Sequence, residues 1–327
     1  METAQTSKPQ SKWLLALSLV IAAGLLYLAL RKVSWTELVS TLRQGNLALL
    51  ALGVAILSLS CVVRALRWRV LLSAEKALPL PLVFWATMTG YLGNAYLPAR
   101  AGEVVRSVLI GQKGGLSKSF TLATALTERL VDALILVVIA AIGVSTLFSM
   151  PAELTRALRL MGLVGALGAV ALMAAPHMGG LANNLIARLP VSSGLRGKIE
   201  HFTTNFLTGA GALQHWGRLA LFMFFSLGIW TLDMLCGFSV ARAFGLNINP
   251  IQVFILLAAL GLASALPSTP GYVGVYQFVA VAVLVPFGLS EAQSLAYIIG
   301  YQGVNYVVIT LWGLIGLWKL RGGFRLR

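Results

Sequence analysis

The sequence predicts an all-α fold: a polytopic helical membrane protein with about six full spans plus two broken, re-entrant helical hairpins. Three observations predict it. The 327 residues are 58% hydrophobic and 11% charged, where soluble domains carry roughly 25% charged residues. The apolar residues collect into long runs separated by short polar stretches. Two of those runs are interrupted by the same pattern, Leu-Pro-x-x-x-Gly, from Leu97 to Gly102 and from Leu266 to Gly271, so that the second copy starts 169 positions after the first. Proline withdraws a backbone donor and glycine admits positive φ, so each copy breaks a helix. Broken backbone at bilayer depth has to be buried in protein or line a polar cavity.

Taken in order, the elements follow from hydropathy and capping. Trp13 to Leu30 is the first helix; Lys8 and Lys12 precede it, but Arg31 and Lys32 stand where a signal peptide needs small residues, so the helix is expected to be retained. Ser34-x-x-Glu37 is a capping box, heading a short surface helix with Trp35, Leu38, Val39 and Leu42 on one face. Leu47 to Val63 is the next span. Leu82 to Leu97 leads into the first break, within a hairpin over 82–113. Thr121 to Phe148 and Leu158 to Ala175 follow. Behind Arg196 and Lys198, the stripe Ile199, Phe202, Phe206 and Leu213 suits a helix lying on an anionic inner leaflet. Leu219 to Phe244 is a full span. Ile251 to Leu266 and Tyr272 to Phe287 flank the second break, in a hairpin over 251–288, with Asn249-Pro250 marking its start. Ser290-x-x-Gln293 then starts the last span, Ala292 to Leu320. The hairpin pieces fall short of the roughly 20 residues a full crossing needs. The chain reads as one integral membrane domain, 1–327, with halves of about 1–150 and 151–327.

Charge sets the expected orientation. With the N-terminus cytoplasmic and each hairpin returning to its own side, seventeen Lys and Arg fall inside and six outside, Arg100 and Arg129 being set aside as intramembrane. This is a strong positive-inside bias, and it puts both termini in the cytoplasm of an inner (plasma) membrane. The same assignment sends the two hairpins in from opposite faces, which is what an inverted repeat produces. The net charge of +15 is scattered between spans, a topology signal rather than a nucleic-acid footprint. Cys61 and Cys236 sit in apolar helices and read as free thiols. His177, His201 and His215 lack metal-ligand spacing, and no phosphate-binding loop or dinucleotide fingerprint occurs, so no metal or cofactor is expected.

The chemistry-bearing residues are the polar groups at bilayer depth, where each charge costs about 2.5 kcal/mol or more. Asn94, Arg100, Glu103 and Arg106 surround the first break. Glu128 and Asp132 share a helix face one turn apart, with Arg129 able to reach Asp132 at i+3. Asp233 stands alone in its span, and Arg100 or Arg129 is its expected partner. The second break carries no charge but offers Thr269, Gly271 and, one turn on, Gln277. For each group two readings stay open: a head-group site, or ion pairs and caps that hold helices together.

Asn94-x-x-Leu97-Pro98-x-Arg100-x-Gly102-Glu103-x-x-Arg106, then Glu128-Arg129-x-x-Asp132, then Pro267-x-Thr269-Pro270-Gly271-x-x-Gly274 resemble, in order, the lysylphosphatidylglycerol synthase transmembrane-domain family of flippase-like proteins. The resemblance implies that Asn94, Arg100, Glu103, Arg106, Glu128, Arg129 and Asp132 occupy the family's polar motif positions. Where many members carry an acid after the second break, this chain has Gln277, which removes the basis for a charge-based role there. The family's soluble aminoacyl-transferase domain is not expected here, because only a short basic tail follows the last helix.

The expected function is therefore a lipid flippase or transporter for an amphipathic, anionic or modified lipid. Arg100, Arg106 and Arg129 would attract the head group, and Glu103, Glu128 and Asp132 would orient them. Membrane lipids are the expected partners, with envelope-lipid biosynthesis enzymes next. A membrane-embedded lipid-linked transferase and a non-transporting accessory subunit are the alternatives.

Overall fold

The computed structural model describes residues 20, 22–97, 101–146, 179–188, 191–264 and 270–321, with isolated positions between 156 and 168. The expected span Leu158 to Ala175 falls almost wholly outside them, as do Arg100 and Thr269. Among the described residues every regular element is a helix. In chain order these are α1 (22–30), α2 (Trp35–Arg43), α3 (Leu47–Leu72), α4 (Leu80–Tyr96), α5 (Gly102–Gly114), α6 (Lys118–Thr146), α7 (Gly179–Ala187), α8 (Ser193–Gly211), α9 (Trp216–Ala243), α10 (Pro250–Ala263), α11 (Val275–Leu284) and α12 (Glu291–Arg321).

Among the described residues three helices are long and apolar enough to cross a bilayer: α3, α9 and α12, with mean hydropathies of 2.3, 1.9 and 1.4. At about 1.5 Å per residue, each exceeds the ~30 Å hydrocarbon thickness. Their outward faces are apolar: Phe224 and Leu227 on α9 are 70% and 69% exposed. A soluble protein rarely shows so much contiguous apolar surface, and lipid is the solvent that suits it. The chain is an all-α integral membrane protein.

Local signals set the helix ends. Asn46 caps α3, its Oδ1 accepting from the Ala48 and Leu49 amides at 3.0 and 3.2 Å. Asn249 and Gln252 form a reciprocal capping box on α10, and Ser290 and Gln293 do the same ahead of α12. The Ser34 box is only half made. Ser34 accepts weakly from the Glu37 amide at 3.4 Å, but the Glu37 carboxylate accepts from the Ser290 hydroxyl at 2.6 Å, tying α2 to the start of α12.

The core lies between α3 and α9, which pack along their length, and extends to α10 and α12 through Cys61, Cys236, Val240, Leu256, Leu295 and Val308. Both cysteines are free and buried. The first hairpin is antiparallel. Leu97, forced into extended backbone ahead of Pro98, ends α4. Gly90 and Gly93 then lie against Gly102 and Arg106, while Leu78 meets Gly114 at the far end. A Cβ on Gly102 would collide with the Gly90 carbonyl oxygen, so the helices meet backbone to backbone. On its other face α4 receives α12, where Gly313 and Gly316 lie against Met88, Leu92 and Trp85.

The second break is tighter. Gly271, Tyr272 and Gly274 all have positive φ, at 72°, 58° and 89°. Tyr272 is the informative one, because a bulky residue seldom occupies this region without tertiary support. Its ring stacks on Tyr276, 4.8 Å away and nearly parallel. The Tyr306 hydroxyl fills the space where a Gly271 Cβ would stand.

Candidate functional site

One face of α3 carries Leu57, Cys61, Arg64, Arg67 and Trp68 at helical spacing, and it meets α6 and α9. Arg67 is completely buried. It spends all five of its N–H donors: on Glu128 (3.2 and 2.8 Å), on Asp132 (2.5 and 2.9 Å) and on the Ser226 hydroxyl (3.1 Å). Its guanidinium lies 5.1 Å from the Phe222 ring centre.

Arg106, on α5, completes the cluster. It donates to Glu103 at 2.6 Å and to Glu128 at 2.8 Å, and lies over Trp68 at 4.4 Å. Trp68 in turn donates its indole N–H to Thr124. Arg129 donates twice to Glu103, at 2.9 and 2.6 Å, and stands 3.9 Å from Asp132. Asn94 donates to Glu103 at 3.2 Å. The cluster balances three arginines against three acids across α3, α5 and α6. Its members are almost fully buried except Arg129, whose side chain is 32% exposed.

A second, smaller ion pair lies nearby. Asp233 on α9 accepts from the Ser60 hydroxyl at 2.7 Å and pairs with Arg64. Of its expected partners, Arg100 lies outside the described residues and Arg129 pairs with Glu103; among the described residues Asp233 pairs with Arg64, because α3 and α9 pack closely and turn these two side chains toward each other.

Between the two hairpins lies a cavity of about 230 Å³. Arg64, Asp233 and Arg129 bring charge to it, while Tyr91 and Asn94 come from the first hairpin. Gly271, Tyr272 and Tyr276 bound it from the second, and Tyr301, Gln302, Asn305 and Tyr306 from α12. Of the residues singled out by sequence, Asn94, Arg129, Asp233 and Gly271 line this cavity. Glu103, Arg106, Glu128 and Asp132 stand behind its wall in the ion-pair cluster. Arg106 in particular faces acids and an indole, not open space. Gln277 does not line the cavity either. Its carbonyl accepts from the Gly274 amide, and its amide donates to Gln302, which donates to the Gly271 carbonyl. Gln277 therefore fastens the second break to α12.

Arg64 and Arg67 were missed as site residues because the positive-inside count takes them, with Arg106, as cytoplasmic surface charges. Removing these three from the seventeen inside leaves fourteen against six, so the bias persists. The signal that finds them is spacing: both arginines fall in register with Leu57, Cys61 and Trp68 on a face that is otherwise apolar.

An all-helical membrane protein with paired charges buried around an internal cavity is the class these features define. The chain belongs to the lysylphosphatidylglycerol synthase TM region family, whose model matches residues 15–313. It is similar to the glycosyltransferase AglD of Haloferax volcanii, 27% identical over 90% of this chain. The chain spans about half that relative's length, 53%. It is also similar to two UPF0104 membrane proteins. One, from Methanothermobacter thermautotrophicus, is 22% identical over 92% of each chain; the other, MJ1078 of Methanocaldococcus jannaschii, is 25% identical over 68% of this chain and 91% of its own. No solved structure matches the chain.

Proposed function

We propose that this protein binds a membrane lipid and carries its head group through the cavity between the two hairpins, the tails staying in the bilayer. The observation that supports this most directly is the cavity's position. A space that carries Arg64, Arg129 and Asp233 among apolar helices is lined by the last turns of α4, just ahead of the first break, and by Gly271 and Tyr272 of the second. Arg64, Asp233, Arg129 and Asn94 are the residues we assign to the head group. Glu103, Arg106, Glu128, Asp132 and Arg67 are the frame that fixes Arg129 and Asn94 in place. We further place the protein in the plasma membrane with both termini cytoplasmic, on the charge bias, and its partners among lipids and the enzymes that make them.

The test is movement of fluorescent lipids across proteoliposomes holding the full chain. Wild type should move lipid faster than protein-free liposomes, and Asp233→Asn should slow it at least tenfold while remaining monodisperse. Rates equal to protein-free liposomes across a broad lipid panel would refute translocation. A second reading, membrane-embedded transfer of a lipid-linked sugar, is favoured by the name of one relative, the glycosyltransferase AglD. Under that reading the same vesicles, given lipid-linked sugar, would yield a new glycosylated product with no change in leaflet distribution.

A further inference from the structure

Resting on the reading that this cavity receives a lipid head group, we infer that the head group is an uncharged polyol, such as a glycosyl unit, and not a bare phosphate or carboxylate. Three features of the lining carry this.

The first is charge. Every charged side chain that lines the cavity already has an opposite charge bonded to it: Arg64 has Asp233, and Arg129 has Glu103. The cluster behind the wall balances as well. An anionic head group would have to strip an arginine from its acid and leave a carboxylate buried and uncompensated, which is among the costlier changes a protein can make. A neutral ligand requires no such exchange.

The second is the uncharged hydrogen-bonding surface. Five tyrosines line the space, Tyr91, Tyr272, Tyr276, Tyr301 and Tyr306, out of eight in the chain. Gathering most of a residue type at one cavity exceeds what filling the space requires, because phenylalanine fills it equally well. What tyrosine adds is a hydroxyl that both donates and accepts. The Asn94 and Asn305 amides add the same dual capacity. A phosphodiester offers acceptors only and an ammonium donors only; a vicinal diol offers both on adjacent atoms.

The third is shape. The Tyr272 and Tyr276 rings are held parallel by the break itself, with Tyr272 fixed at positive φ. Flat ring surface beside amides matches a sugar, whose C–H face is apolar and whose edges are hydroxylated. The volume of about 230 Å³ suits one ring rather than a chain of them.

Native mass spectrometry of the detergent-solubilised full chain reads the preference directly. The protein is offered equimolar glucosyl-diacylglycerol, glucosylceramide, phosphatidic acid and phosphatidylethanolamine. The glycosyl lipids should be retained at least tenfold over the other two, and the ratio between the two glycosyl arms identifies the anchor. Asn305→Leu, with the same branching and the same number of side-chain heavy atoms and favourable in a helix, should cut glycosyl-lipid retention about threefold to tenfold, the loss expected for one hydrogen bond, leaving phosphatidic acid retention unchanged. Tyr276→Phe provides a second variant should the first fail to purify, with the same expectation. Preference for phosphatidic acid, or equal retention of all four, overturns the polyol assignment even if lipids are translocated. Selective retention of glycosyl lipid without movement in proteoliposomes upholds the head-group class and refutes translocation alone.

Discussion

Arg67→Met isolates what the buried cluster contributes. The substitution keeps most of the side chain's volume and removes all five hydrogen bonds. Glu128 retains Arg106 at 2.8 Å, but Asp132 is left with only the Arg129 contact at 3.9 Å. One acid therefore becomes a buried charge without a close partner, for which the cost is about 3–5 kcal/mol. Loss of the Phe222 stacking adds roughly 0.5–2 kcal/mol. At a few degrees per kcal/mol for a domain of a few hundred residues, the melting temperature should fall on the order of 10 °C. Thermal unfolding of the detergent-solubilised protein, followed by loss of the monodisperse peak, measures this. Arg67→Met combined with Asp132→Leu restores charge balance, two arginines facing two acids, and should recover at least half of the lost stability. A single variant that melts within two or three degrees of wild type, or a double variant no more stable than the single, would refute the argument that charge pairing holds α3, α5 and α6 together.

Two further substitutions probe the second break. Gly271→Ala meets both a backbone at φ 72° and the Tyr306 hydroxyl; it should destabilise the protein, and adding Tyr306→Phe should recover only the steric part, leaving the left-handed backbone cost of about 1–2 kcal/mol, as read by melting temperature. Gln277→Leu cuts the amide relay from Gly274 through Gln302 to Gly271. Hydrogen exchange at the break should then rise with α10 unchanged, and equal protection in both proteins would show that the relay does not hold the break.

Much of this arrangement is legible in the chain. Composition marks the bilayer, because no soluble core needs so much apolar surface. The capping boxes at Asn249 and Ser290 and the stop at Leu97–Pro98 are decided by backbone sterics within a few residues, so reading them needs no partner. The grouping of Glu103 with Arg106, and of Glu128 with Asp132, follows from helical spacing alone. The tertiary structure decided which charges meet. Arg67 reaches its acids 61 and 65 positions away, and Arg64 reaches Asp233 across 169. Those pairings depend on how far each helix is rotated about its own axis, which is set by packing of the whole bundle and leaves no trace at short range. For the same reason Arg106, expected to meet a head group, is turned instead toward Glu103, Glu128 and Trp68 once α5 folds back onto α4 through three glycines. The cavity likewise belongs to no single segment, being the space left where the end of α4, the second break and the helices α3, α6, α9 and α12 fail to close.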